Sequence, residues 1–158
     1  MGNLTQELRI IILDINQLQA SFARIEPHKE AFAAQFYTTL LENYPALRPF
    51  FVNVDLKRQQ SSLLATLLAL LNETSRGDEL RASFQKLGQR HADRQIRAEH
   101  YPAFGQTLLD TMAFYDPQWT PELRTAWASV LDQCVRFMME SYHPEATVYR
   151  VQVSRARR

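Results

Sequence analysis

Apolar side chains recur at three- and four-residue steps along most of the chain, the spacing of helices that bury one face. Leu8, Ile11, Ile12, Ile15, Leu18, Phe22 and Ile25 form the first such stripe. It predicts a helix that stops at Glu26-Pro27, because proline cannot continue a helix from its middle. Phe32, Phe36, Leu40 and Leu41 mark a second helix, with Tyr37 one position off its main stripe. Pro45 and Pro49 bracket a short turn of helix ending at Phe51. From about Val54 to Leu71 runs a leucine-rich helix carrying Leu56, Leu63, Leu64, Leu67, Leu68 and Leu71, and Asn72 to Asp78, with Gly77 inside, reads as a loop.

Leu80, Phe84, Leu87 and Gly88 share one helical face with His91, which turns that imidazole inward. Tyr101, Phe104, Leu108 and Met112 follow at the same spacing. The last helix opens with Thr120 as N-cap and Pro121 in the first helical position, a favoured pairing. Its stripe of Leu123, Trp127, Val130, Leu131, Cys134, Phe137 and Met138 stops near His143-Pro144. A strand pattern competes only weakly, at Val148 to Val153. The chain therefore reads as one all-α domain over 1–158: an N-terminal extension (1–13), a helical core (14–143) and a basic tail (144–158).

Composition narrows the function classes. With 18 basic and 17 acidic side chains the net charge is +1, so the balance does not call for nucleic acid as a partner. The four glycines form no phosphate-cradling loop. Cys134 is the only cysteine, which excludes a disulfide framework and a thiolate metal cluster. No apolar run approaches the roughly 20 residues of a membrane span, and Ile10-Ile11-Ile12-Leu13 is too short for a signal-peptide core. The cytoplasm is the expected location.

Other chemistry is thin. Asp110, Asp116 and Glu122 form no acid–base pair, and His28, His100 and His143 lack the i, i+4 spacing of helical zinc ligands. What stands out is a constellation around His91. Tyr101 follows it by ten residues and Gln59 precedes it by thirty-two, while Tyr37 stands fourteen before Phe51, which closes Pro45-Ala46-Leu47-Arg48-Pro49-Phe50-Phe51.

From Leu18 to Tyr142 the chain resembles bacterial single-domain globins and the globin half of flavohaemoglobins. Gly88-Gln89-Arg90-His91 through Arg97-Ala98-Glu99-His100-Tyr101 is similar to that family's proximal segment, and Phe36-Tyr37, the Pro45–Phe51 run and Gln59 to its distal side. The resemblance implies a globin fold around haem b. It makes His91 the proximal iron ligand and Phe51 a ring on the haem face, with Leu87 and Ile96 as further haem contacts. Tyr37 and Gln59 become the distal donors, Gln59 preferred to Gln60 by its separation from His91, and Leu63 walls the distal pocket. Tyr101 either supports His91 through its hydroxyl or is core packing.

Two departures from the family qualify this. Where flavohaemoglobins carry a glutamate late in the last helix, this chain has Tyr142. The nearest acid, Glu140, lies two residues away, about 200° around a helix. The resemblance then argues against strong peroxidase-like activation. The chain also stops at Arg158, short of the flavin and nicotinamide domains, so turnover would need an external reductase. The leading expectation is binding of dioxygen, nitric oxide or carbon monoxide, extending to nitric oxide dioxygenase-like activity, with self-association allowed. The alternatives are a haem-based gas sensor or interaction module acting through a partner, and a non-haem globin scaffold.

Overall fold

Six α-helices account for most of the computed structural model, which describes residues 15–73 and 77–142; no strand occurs among the described residues. Their order is α1 (15–25), α2 (Lys29–Asn43), α3 (Leu56–Glu73), α4 (Gly77–Asp93), α5 (Tyr101–Tyr115) and α6 (Pro121–Met139). Short 3-10 turns at Glu26–His28, Pro45–Phe51 and Ala98–His100 join them. The all-α reading therefore holds. The expected N-terminal extension, basic tail and Val148–Val153 segment lie outside the described residues.

The helix starts follow local chemistry. Thr120 Oγ1 accepts from Leu123 N at 3.1 Å, capping α6 as its sequence predicts. Asp55 does the same for α3, accepting from the backbone of Lys57 at 3.1 Å and of Arg58 at 3.3 Å. Prolines occupy the first turns of α5, α6 and the Pro45–Phe51 segment, where a missing N–H costs nothing.

One expectation needs correction. The loop between α3 and α4 is shorter than Asn72 to Asp78, since Asn72 and Glu73 continue α3 and Gly77 and Asp78 already belong to α4. Along the leucine-rich α3, Leu56 and Leu68 are exposed, whereas Leu70 is buried. A helix so rich in leucine satisfies more than one apolar face on paper, and only the packing partners select one.

The core comprises two clusters. The larger joins α1, α2, α3, α5 and α6 through Leu18, Phe22, Ile25, Phe32, Phe36, Leu40, Leu67, Met112 and Trp127. The smaller joins Leu70, Phe84, Ile96, Tyr101, Cys134 and Met138. Each buried side chain of this size contributes about 1.5–3 kcal/mol relative to exposure. A polar clamp anchors α1 to the corner between α5 and α6. Asp116, buried there, accepts from Arg24 Nε at 2.5 Å, Arg24 Nη2 at 2.9 Å, Ser21 Oγ at 2.7 Å and Gln118 N at 2.9 Å. Trp127 Nε1 donates in turn to Ser21 Oγ at 3.1 Å. Burial pushes the Asp116 carboxyl upward, but the hydrogen bonds from Arg24, Ser21 and Gln118 outweigh it and hold it below its ordinary value.

The smaller cluster depends on a close approach of α4 to α6. A Cβ built on Gly88 would stand 2.6 Å from the Cα and carbonyl carbon of Met138, atoms of backbone that cannot turn aside. Outside that contact, Arg81 forks onto Glu140 at 2.7 and 2.9 Å, and Gln85 Nε2 donates to the same carboxylate at 2.7 Å.

Two stability measurements check these packing arguments. Gly88→Ala is expected to cost about 3 kcal/mol, lowering Tm by roughly 6–12 °C in a thermal melt. Asp116→Asn is expected to cost about 2–3 kcal/mol at neutral pH. Because the folded carboxyl ionises below its unfolded value, its contribution is present above about pH 4 and fades as pH falls through the folded value. Acid unfolding of Asp116→Asn should therefore lose that part of the pH dependence; an unaltered profile would remove the clamp from the stability account.

Candidate functional site

Between the two core clusters lies a cavity of about 190 Å³. One wall comes from α2 and α3, with Phe36, Tyr37, Gln59, Ser62, Leu63, Thr66, Leu67 and Leu70. The other comes from α4, α5 and α6, with Phe84, Leu87, His91, Tyr101, Phe104, Leu108, Leu131, Cys134, Val135 and Met138. Its character is that of small-molecule and cofactor sites: mostly apolar, with a few polar groups.

His91 presents the strongest donor. It is half-buried in the last full turn of α4, and its Nδ1 lies 2.7 Å from the Leu87 carbonyl. A carbonyl only accepts, so Nδ1 carries the proton and Nε2 keeps a lone pair with no partner among the described residues. Burial, opposed by the Leu87 bond and assisted by the charges of Arg94 and Arg90, holds the imidazole below its ordinary pKa. The ring is therefore a neutral nitrogen donor at neutral pH.

Tyr37 is the main polar group of the opposite wall. It projects from α2, is only 7% exposed, and sits edge-to-face with Phe36 at 4.9 Å and Phe51 at 5.9 Å between ring centroids. Burial pushes its phenol up to about 12, so it stays a protonated donor. That proton goes to the backbone carbonyl of Gln59 at 3.3 Å, well beyond the usual O–H···O range. So weak a bond leaves the hydroxyl free to swing to a better acceptor.

Tyr101, the first residue of α5, lines the cavity beside His91, their centroids 6.2 Å apart and planes tilted by 41°. Its hydroxyl lies 2.7 Å from that of Tyr142, which donates to the Ile96 carbonyl at 2.8 Å. Glu140 faces outward, paired with Arg81 and Gln85, and Arg81 is the chief cause holding its carboxyl below the ordinary value. A phenol pair, with no carboxylate, thus stands behind the His91 segment.

The structure brings Tyr37, Gln59, Leu63, Leu87, His91 and Tyr101 to one cavity, and Gln60 is not on its wall. Phe51 is not on the wall either: it backs the Tyr37 ring from the Pro45–Phe51 turn. Ile96 lies behind the wall as well, buried in the smaller core cluster. Sequence reading passed over Ser62 and Thr66, which share a helical face with Gln59 at three and seven residues' remove, an arithmetic that would have found them. The hydroxyl of Thr66 is spent on the Ser62 carbonyl at 2.8 Å. Cys134 also lines the cavity, and burial pushes its thiol up to about 12, so it stays a protonated, apolar part of the wall.

These features can be set beside known proteins. Residues 34–138 match the Globin family model. The chain is 30% identical to a flavohemoprotein of Schizosaccharomyces pombe over 89% of its own length and 34% of that protein. It is 27% identical to the Pseudomonas aeruginosa flavohemoprotein over 84% of its length and 34% of that protein, so it spans about a third of these relatives. Among solved structures, a Pseudomonas aeruginosa protein described as highly homologous in structure to a human hemoglobin superposes with TM-score 0.71 at 26% identity, covering 82% of this chain and 98% of that one. An engineered carbene transferase made from a candidate nitric oxide dioxygenase of Rhodothermus marinus superposes with TM-score 0.72 at 27% identity, covering 89% and 96%. The all-helical fold, the cavity between its helix layers and the match over most of the chain place this protein in the globin family.

Proposed function

We propose that this globin holds haem b in the cavity, with His91 as iron ligand, and binds dioxygen and other diatomic gases on the Tyr37 side. The carrying observation is the neutral imidazole of His91, its Nε2 lone pair without a protein partner, on the cavity wall opposite the buried Tyr37 phenol. A flat, largely apolar group with one axial nitrogen ligand matches that donor set: aliphatic and aromatic side chains for its faces and one unpaired nitrogen for its metal. When bound, haem supplies an iron centre that takes up diatomic gases.

The protein's part is positioning and electrostatics. The Leu87 carbonyl fixes the tautomer and rotation of His91. The apolar walls exclude water, which strengthens any hydrogen bond made inside. Tyr37, held only by its long bond to Gln59, would donate to a gas ligand carrying partial negative charge, and the side-chain amide of Gln59 would be a second donor that does not titrate. With haem held there and one electron from a separate reductase, the pocket would suit conversion of nitric oxide and dioxygen to nitrate. The flavohemoprotein relatives and the Rhodothermus marinus neighbour favour that nitric oxide dioxygenase-like extension.

Absorption spectroscopy tests the reading. Purified protein, given haemin if colourless, should show a Soret band that moves on dithionite reduction and again with carbon monoxide; His91→Ala should abolish stable uptake. Tyr37→Phe should retain haem but release dioxygen about tenfold faster, the loss of one hydrogen bond of about 1.4 kcal/mol. Failure of the wild-type chain to take up haem would overturn the proposal, and an unchanged release rate in Tyr37→Phe would remove that phenol from it.

A further inference from the structure

We infer that Tyr142 is a positioning residue for His91, acting through a one-way relay of hydrogen bonds that ends on the backbone turn following α4. Its role at the iron rests on His91 being the ligand, as proposed above. The turn is a Schellman arrangement: Ile96 N donates to the His91 carbonyl at 3.0 Å and Gln95 N to the Ala92 carbonyl at 3.0 Å. The position glycine usually fills is Gln95, at φ +68°, the only positive φ among the described residues. A side chain in this conformation is strained, so the turn needs support from outside.

Tyr142 supplies that support. Each phenol has one proton, and that of Tyr142 goes to the Ile96 carbonyl at 2.8 Å. The 2.7 Å contact between the two hydroxyls must then be Tyr101 donating to Tyr142. The relay runs from Tyr101 to Tyr142 to the Ile96 carbonyl, and across that residue from the Ile96 N–H to the His91 carbonyl. It ties the first residue of α5 and the turn after α6 to the last turn of the His91 helix. Neither phenol retains a proton for the imidazole, whose own Nδ1–H is committed to Leu87. The pair thus sets where His91 stands without adding charge to it, and the Tyr101 ring, tilted beside the imidazole, bounds its rotation.

Donor order makes the two phenols unequal, and amide hydrogen exchange reads this with or without haem. Tyr142→Phe should speed exchange at Gln95 and Ile96 about tenfold or more, with the α2 core unchanged. Tyr101→Phe keeps the Tyr142–Ile96 bond, so those amides should stay protected. In the ferrous haem-loaded protein, the iron–imidazole stretching band in resonance Raman should shift or broaden in Tyr142→Phe and hold in Tyr101→Phe. Unchanged exchange in Tyr142→Phe overturns the inference, as does faster exchange with an unmoved Raman band. Should Tyr142→Phe fail to fold, Tyr101→Phe still decides, because loss of turn protection there would refute the donor order. Failure to take up haem would sink the proposed function, while exchange would still show whether Tyr142 holds the turn.

Discussion

The backbone of α4 meets that of α6 at Gly88 more closely than any side chain at that position would allow. That contact brings Met138 and Cys134 against Phe84 and closes one end of the cavity. It also sets the rotation of α4. With Gly88 turned to α6 and Gln85 and Arg81 reaching Glu140 beside it, the face bearing Leu87 and His91 is left toward the cavity. An imidazole at this place in the sequence becomes a cavity donor because two helices touch three residues before it.

The cavity uses few polar groups, and burial sets the state of each. It lowers the pKa of His91 and raises those of Tyr37 and Cys134, so every one of these groups is neutral at neutral pH. In a region of low dielectric, neutral groups that can donate or accept are cheaper to keep than charges. Charge is placed elsewhere: Asp116 with Arg24 at the far corner, Glu140 with Arg81 on the surface. The pairing whose carboxylate is fully buried, at Asp116, is also the one in which the carboxylate accepts from four donors.

Much of the architecture could be read from the chain because helix formation leaves a local signature. The stripes through Leu18, Phe36, Phe84, Leu108 and Trp127 mark five of the six helices, and Thr120-Pro121 marks a start. Leu56 and Leu68 stay exposed because α3 has more leucines than its neighbours cover. Asp116 was passed over for a related reason: its partners Arg24 and Ser21 lie more than ninety residues away, beyond any local pattern. Phe51 and Ile96 carried the resemblance but back the wall instead of forming it.

By itself the sequence determined the helical class, the approximate helix limits and the set of residues with chemistry to offer, since periodicity, capping and residue type are properties of neighbours along the chain. Tertiary structure decided the rest: that Gln59 and not Gln60 reaches the cavity, that Tyr37 leans on a backbone carbonyl, and that Tyr142 donates to the Ile96 carbonyl while Glu140 turns to Arg81. Each of these depends on the angle at which one helix lies on another. That angle is set by close contacts such as Gly88 on Met138, between residues fifty positions apart.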